Sequence, residues 1–256
     1  MFAKAYKLRQ IRTQFDVEKL SELGKEMAEN GQLGLKVEKG RLSVSSLHFL
    51  SNFTHLEAIS IYGIARNLSV LSNMPNLRSV ALCSLSTIDL KFLHKLKKLE
   101  ELWLQGLRLK DWNSLRQLKQ VKAITLFNLP QKDFDFLEEM ESLQVIKLIR
   151  CSKVQRLPSL QKSYHLRRVI LETVNRLEDL SGIAQAPNLE DIVVSEADCL
   201  SPKAFDCFLN HATIRSILPG IGFITSKKYN MVISRIPNEL LMDGFYGTTN
   251  ETFKIL

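Results

Sequence analysis

The sequence predicts an α/β fold: a right-handed solenoid, shaped as a curved horseshoe, with a parallel β-sheet on its concave face and short helical or 3₁₀ returns on its convex face. The first observation behind this prediction is a repeat. Seven segments of the 256-residue chain share the pattern apolar-x-x-apolar-x-apolar, and their starts lie 21, 22, 22, 22, 23 and 23 residues apart. One such unit cannot bury its apolar face alone, so a period of this length indicates stacked repeats. The segments are Leu56-Ile59-Ile61, Leu77-Val80-Leu82, Leu99-Leu102-Leu104, Val121-Ile124-Leu126, Leu143-Ile146-Leu148, Leu166-Val169-Leu171 and Leu189-Ile192-Val194.

The second observation is a change of apolar period within each unit. The last part of the pattern alternates with period two, as a strand with one buried face does. Apolar residues then follow at roughly three-residue steps, which predicts a short 3₁₀ or α return. A strand, a return and another parallel strand form a right-handed coil. A degenerate earlier copy runs through Leu35, so we expect about eight units.

This pattern resembles that of the leucine-rich repeat family, in its 22-residue class, which includes the repeat domains of internalins and of a protein phosphatase-1 regulatory subunit. The resemblance covers roughly residues 32–218. It implies a protein partner, since members of the family mostly bind proteins. The chain departs from the family at the ninth position of each unit, where asparagine or cysteine usually bonds to the bend, so the bend amides need other partners. That position holds Ile64, Leu85, Leu107, Leu129, Cys151, Val174 and Ala197.

Caps are predicted at both ends of the repeats, within one structural domain. Residues 1–31 form the N-terminal cap region, with Asp16 as N-cap of a helix that ends before Gly31. Residues 32–218 hold the repeats, and residues 219–256 form the C-terminal cap, because open solenoid ends need covering. In that last segment we expect a strand over residues 229–236 and a loop over residues 243–250. The apolar residues of the N-terminal helix are Val17, Leu20, Leu23 and Met27.

Composition indicates a globular protein of the cytoplasm. Hydrophobic residues make up 45% and charged residues 24% of the chain, which excludes a disordered protein. No stretch approaches eighteen consecutive apolar residues, and residues 1–15 lack the apolar run of a secretory signal. The four cysteines lack CxxC spacing, so we expect free thiols. Cys151 is expected to be buried, and Cys83 is the candidate for an exposed thiol.

No pattern of catalytic or metal-binding residues stands out. The five histidines are dispersed, and none lies at metal-ligand spacing from a cysteine or carboxylate. Neighbouring carboxylates such as Glu100 and Glu101 point to opposite faces of a strand, so they cannot converge on one bond. We therefore expect a non-enzymatic protein with no metal and no cofactor.

The predicted binding surface is the concave sheet face, formed by strand residues that alternate with the buried ones. Adjacent strands lie about 4.8 Å apart, so Trp103, Phe127, Ile149 and Ile170 are expected to form one apolar patch. Large aromatic side chains on a surface are typical interface anchors. The alternative is that the patch packs on itself or against a terminal segment. The complete set of predicted partner-binding residues is Tyr62, Trp103, Thr125, Phe127, Lys147, Ile149, Arg168 and Ile170.

Charge leaves more than one function open. The net charge is +8, residues 91–122 are strongly basic, and residues 177–202 carry six acidic residues and no Lys or Arg. The leading hypothesis is a protein–protein interaction module whose charge order orients a partner protein on the concave sheet. The alternatives are nucleic-acid binding through the basic middle repeats, which the acidic repeats oppose, or a regulatory or inhibitory subunit of a partner enzyme. Self-association through the same patch is a further alternative, and we expect no membrane partner.

Overall fold

The computed structural model of the protein describes residues 6–11, 17–38, 46–63, 66–220 and 226–241. The chain divides into two compact units, Met1–Val121 and Lys122–Leu256, which we call the first and the second unit. The predicted boundaries near residues 31 and 218, and the single-domain organisation, stay predictions.

The first unit is built on five parallel strands hydrogen-bonded in the order β1-β2-β3-β4-β6, with β5 and β7 forming a separate parallel pair. Three of the predicted repeats supply β3, β4 and β6, and their register places Ile59, Val80 and Leu102 side by side as the repeat predicts. The degenerate copy forms β2, whereas β1 was not predicted. The strands are β1 (Leu8–Ile11), β2 (Gly34–Glu38), β3 (Ala58–Tyr62), β4 (Ser79–Cys83), β5 (Ser86–Ile88), β6 (Glu101–Gln105) and β7 (Arg108–Leu109).

The second unit contains five parallel strands, again hydrogen-bonded in chain order. Four predicted repeats supply the first four of them, and each starts two residues after its repeat. The register confirms the stacking, because Ile124, Ile146, Val169 and Ile192 occupy equivalent places. The strands are β8 (Ala123–Phe127), β9 (Val145–Ile149), β10 (Arg168–Glu172), β11 (Asp191–Ser195) and β12 (Ser216–Pro219).

Short helical returns connect most of these strands, as the three-residue apolar steps predict. Five residues are too few for a stable isolated helix, so each return depends on the buried side chains that anchor it to the core. In the return Asn113–Gln117, for example, Leu115 is buried. The 3₁₀ returns are His48–Asn52, Leu68–Asn73, Lys91–Lys95, Asn113–Gln117, Asp135–Glu139 and Pro202–Phe208, and the α-helical return is Ser181–Ala184.

A left-handed residue follows each of the seven repeat strands and turns the chain away from the sheet. Only two of the seven are glycine, although this conformation costs other residues about 1–2 kcal/mol. The cost is tolerated because the next residue, at the ninth position, is thereby placed in the core: the six such residues that the structure describes are all buried. The left-handed residues are Gly63, Ser84, Gly106, Asn128, Arg150, Thr173 and Glu196.

The bend amides find their partners in the backbone of the next repeat. Ser84 N donates to Gln105 O at 2.8 Å in the first unit, and Arg150 N donates to Glu172 O at 2.8 Å in the second. A side-chain ladder is therefore not needed in the bend. Amide side chains act instead at the turn before the strands, where Asn188 Nδ2 donates to Tyr164 O at 2.8 Å in the preceding repeat.

The N-terminal helix forms as predicted, as α1 (Val17–Glu29). Leu20, Leu23 and Met27 are buried, and Gly31 follows the helix with a φ of 62°. The helix packs against the return His48–Asn52 so closely that a Cβ on Gly24 would lie 2.8 Å from Asn52 O. The predicted N-cap, Asp16, lies outside the described residues.

The C-terminal segment corrects one prediction. Residues 229–236, expected to form a strand, belong mostly to α3 (Ser226–Ile233), which follows the short helix α2 (Ser181–Ala184). Val232 is buried within α3, and Ile236 is buried four residues further on, just after the helix. Ser234 between them is exposed, whereas a strand would place all three residues on one face. Arg235 donates to Asp206 in the return Pro202–Phe208 and holds the helix there. The predicted loop over residues 243–250 lies outside the described residues.

Candidate functional site

The candidate surface is the sheet face, by which we mean the first, third and fifth residues of each strand, opposite the core. In the first unit it includes Tyr62, whose side chain is 43% exposed. Trp103 is half-buried, and its Nε1 donates to Gln105 Oε1 on the same strand at 3.2 Å. This hydrogen bond ties the indole to its own strand.

Cys83 also lies on this face, but it is not the exposed thiol that the sequence indicated. Its side chain is only 8% exposed, and burial raises the pKa of the thiol to about 11. The ring of Tyr62 is its in-register neighbour on β3 and Gln105 is its neighbour on β6. Larger side chains on both sides therefore flank the small cysteine.

In the second unit, Phe127 and Ile149 are in-register neighbours on β8 and β9. Both are half-buried, so each keeps part of its apolar surface in solvent. The guanidinium carbon of Arg150 lies 5.7 Å from the centre of the Phe127 ring, within the range of a cation–π contact. Phe127 and Ile149 thus place two large, partly exposed apolar side chains side by side.

Two further predicted contact residues lie on the same strands, two residues before Phe127 and Ile149. Thr125 and Lys147 are in-register neighbours on β8 and β9. Thr125 is 8% exposed, so it offers little surface, whereas Lys147 is half-buried. Ile149 is followed across the sheet by Glu172 on β10, so the apolar pair has a cation on one side and a carboxylate on another.

Ile170 was expected to extend the apolar patch, but its side chain is only 3% exposed. It packs with Val193 on β11 and Leu218 on β12 in one buried apolar row. Apolar side chains in register on adjacent strands are close enough to cover one another. Of the four residues predicted as one patch, Phe127 and Ile149 form a partly exposed pair in the second unit, whereas Ile170 lies in the buried row. Trp103 lies on the sheet face of the first unit, and its place in the patch stays a prediction.

The charges predicted to orient a partner are largely paired with one another. Arg168 donates to Asp191 on the next strand at 2.9 Å. Just before the strands, Glu190 forms ion pairs with Arg167 at 3.4 Å and with Arg215 at 3.5 Å. Arginine and carboxylate thus alternate from repeat to repeat, and these pairs link adjacent repeats.

One polar cluster of the first unit was missed by the sequence analysis. The hydroxyl of Tyr6 donates to Glu57 Oε2 at 3.0 Å, and Ser79 Oγ donates to the buried Glu101 at 2.8 Å. Burial raises the pKa of Tyr6, and the hydrogen bond to Glu57 and the charges of Glu57 and Glu101 raise it further. β1, the strand that follows Tyr6, has the sequence LRQI, which does not alternate between apolar and polar residues, so no local pattern marked it.

Within the part of the chain that the structure describes, no group of three or more His, Cys, Asp or Glu side chains is arranged to hold a metal ion. None of the helices there has the length and apolarity needed to cross a bilayer. All four cysteines are free, and Cys151 is buried as predicted.

Comparison with known proteins gives similarity in structure only. No protein-family model and no curated protein matches the sequence. Among solved structures, an internalin (inlF) from Listeria monocytogenes superposes with a TM-score of 0.55 at 17% identity, over 80% of this chain and 68% of that one. Internalin C2 (inlC2) from the same organism superposes with a TM-score of 0.58 at 13% identity, over 82% of this chain and 99% of that one. The chain has the leucine-rich-repeat fold.

The ninth position of each repeat, where leucine-rich repeats usually have asparagine or cysteine, is filled differently in this chain. Cys151 is the one residue there of a usual type, and its Sγ donates to Leu126 O at 3.4 Å. The other described residues at this position are apolar and buried. The repeat consequently gains core packing where other leucine-rich repeats place a polar side chain.

Proposed function

We propose that this leucine-rich-repeat protein is a protein–protein interaction module that binds a partner protein on its sheet face. The observation that carries the proposal is the pair Phe127 and Ile149, two large apolar side chains held in register and partly in solvent. Partly exposed aromatic side chains on a rigid scaffold are typical binding hot spots, because covering them removes apolar area from water at little cost in side-chain entropy. The leucine-rich-repeat fold supports the same proposal.

The surroundings of the pair suit a protein rather than a small apolar ligand. Lys147, Arg150 and Glu172 surround Phe127 and Ile149 with both signs of charge. An apolar centre with a polar rim is the usual composition of a protein interface. Phe127 and Ile149 are thus the proposed centre, and the full set of eight predicted contact residues stays a prediction.

The proposal also places the protein in a reducing compartment, the cytoplasm. Its support is the state of the cysteines, because all four are free thiols. Proteins of oxidising compartments usually pair their cysteines.

Photo-crosslinking tests where the partner binds. A benzophenone amino acid is placed at Phe127, at Ile149 or, as the matched control, at Tyr164, which lies in the turn before β10 and is 62% exposed. We expect one protein of the native lysate to crosslink from Phe127 and Ile149 but not from Tyr164, and to do so after nuclease treatment. Equal crosslinking from all three positions, or none from the first two, would overturn the proposal.

The captured partner then permits a quantitative test. Phe127→Ala is expected to weaken its binding by about 2 kcal/mol, roughly thirtyfold, if the ring is an anchor. Tyr164→Ala is the control and should leave the affinity unchanged. If the partner is an enzyme, its activity with and without this protein distinguishes a regulatory subunit from a simple binding module.

A further inference from the structure

A second surface of the molecule, formed by the last two returns of the first unit and the segments beside them, is strongly basic. Over residues 85–121 the chain has eight Lys or Arg against four Asp or Glu. Seven of the eight basic side chains are exposed and the remaining one, Arg116, is half-buried. The exposed ones are Lys91, Lys95, Lys97, Lys98, Arg108, Lys110 and Lys119.

Of the four acidic residues of this stretch, two are exposed beside these cations and two are paired or buried away from them. Asp89 accepts from Lys91 N at 2.8 Å and Asp111 accepts from Asn113 N at 2.9 Å, so both hold the backbone at the start of a return. Glu100 pairs with Arg78, and Glu101 is buried on the sheet face. The ion pair between Lys91 and Asp89 is long, at 3.9 Å, and both side chains are exposed, which makes it weak.

Two aromatic side chains lie among these cations. Phe92 belongs to the return Lys91–Lys95, and Trp112 directly precedes the return Asn113–Gln117. Both residues are half-buried, so neither is completely covered. A basic surface with interspersed aromatic rings is the composition with which proteins bind single-stranded nucleic acid, because phosphates contact the cations and bases stack on the rings.

Hydrogen bonds between the repeats hold this surface in place. The Nε2 of His94 bonds to Ser114 O at 2.8 Å, which joins the two returns directly. Gln120 Nε2 donates to Leu96 O at 3.0 Å in the turns that follow them. The backbone that carries the cations and rings is therefore already ordered before binding, so binding loses little backbone entropy.

We infer that the returns Lys91–Lys95 and Asn113–Gln117, with the turns beside them, form a binding surface for single-stranded nucleic acid, separate from the protein-binding sheet face. Lysine predominates over arginine on this surface. A lysine ammonium acts as a point charge, whereas an arginine guanidinium can form bidentate hydrogen bonds with the edge of one base. Binding should therefore depend on salt and be largely independent of base sequence. The acidic repeats of the second unit, which weighed against this function in the sequence, do not belong to this surface.

The test measures the anisotropy of a fluorescein-labelled 20-nucleotide oligothymidylate with the full chain at increasing salt. The variant carries Lys91→Gln, Lys95→Gln and Lys110→Gln. Its matched control carries Lys132→Gln, Lys153→Gln and Lys203→Gln, which removes the same charge from three exposed lysines of the second unit. We expect the first triple variant to lose at least about tenfold in affinity at low salt, and its salt dependence to fall by about 0.7 in logarithmic slope for each phosphate that it no longer neutralises. The control should lose less than threefold.

A second measurement addresses the stacking. Binding should quench the fluorescence of Trp112 in a Trp103→Phe protein, and the quenching should vanish when Trp112→Phe is made in the wild type. Equal losses in both triple variants would reduce the effect to net charge and overturn the inference. Equal binding of polyglutamate in competition would assign the surface to an acidic protein, and absence of binding at low salt would also overturn it. None of these results affects crosslinking from Phe127, so this inference and the proposed function fail separately.

Discussion

Arg168 on β10 donates from both Nε and Nη2 to a single oxygen, Oδ2, of Asp191 on β11, at 3.0 and 2.9 Å. The other oxygen of Asp191 accepts from Ser216 Oγ on β12 at 2.5 Å. One carboxylate thus ties three neighbouring strands, and the two charged side chains are only 23% and 14% exposed. Arg168, predicted as a partner contact, therefore has a structural role on the sheet face.

Replacing Arg168 with alanine should lower the free energy of unfolding by about 1.5 kcal/mol or more, because a partly buried carboxylate loses two charge-assisted hydrogen bonds. Arg215→Ala is the matched control. Its side chain is 76% exposed and lies 3.5 Å from Glu190, so its loss should change stability by no more than about 0.5 kcal/mol. Urea denaturation measures both values, and equal values would contradict the structural role.

Adding a methyl group at a glycine in the left-handed bend should lower the free energy of unfolding. Gly106 has a φ of 57°, and a Cβ there would lie 3.9 Å from its nearest neighbours, so Gly106→Ala introduces backbone strain without a clash. We expect a loss of about 1 kcal/mol in the free energy of unfolding. Ser84 occupies the same position in the preceding repeat and already bears a Cβ, so Ser84→Ala should change stability much less. A similar loss in both variants would show that the conformation is not the cause.

The four cysteines should differ in reactivity toward a thiol reagent at about pH 8. Burial raises the pKa of Cys83, Cys151 and Cys207 to about 11 each, so they remain neutral, whereas Cys199 is exposed. We expect one fast-reacting thiol in the folded protein and four in urea. The fast phase should disappear in Cys199→Ser and persist in Cys83→Ser; persistence in the first would place the reactive thiol elsewhere.

Alkaline pH should weaken the N-terminal strand. The raised pKa of Tyr6 means that the folded state favours the neutral phenol, so its stabilisation is complete below about pH 10 and is lost as the pH rises further. Ultraviolet titration at high pH should show a late-ionising tyrosine that is absent in Tyr6→Phe. Tyr164→Phe removes the hydroxyl of an exposed tyrosine instead and should retain that component. If Tyr6→Phe also retains the late-ionising component, Tyr6 is not the tyrosine with the raised pKa.

The repeat strands could be predicted because their signal is local and is repeated. Each strand needs an apolar residue at every second position, and the same spacing recurs in seven segments. β1 and α3 could not be predicted with this pattern, because each occurs once and its type depends on what it packs against. α3 packs against the return Pro202–Phe208, a contact that periodicity along the chain cannot show.

For the candidate site, the sequence could predict only the strand register, that is, which residues are neighbours on adjacent strands. The sequence by itself determined that Phe127 and Ile149 occupy neighbouring places opposite the core, because strand alternation and the repeat length are properties of the chain. Only the tertiary structure decided which of these side chains remain available at the surface. Ile170 is covered by its neighbours, Arg168 is bonded to Asp191, and Cys83 is buried. Exposure and charge pairing depend on side chains from strands more than twenty residues apart in sequence, so they arise only when the repeats stack.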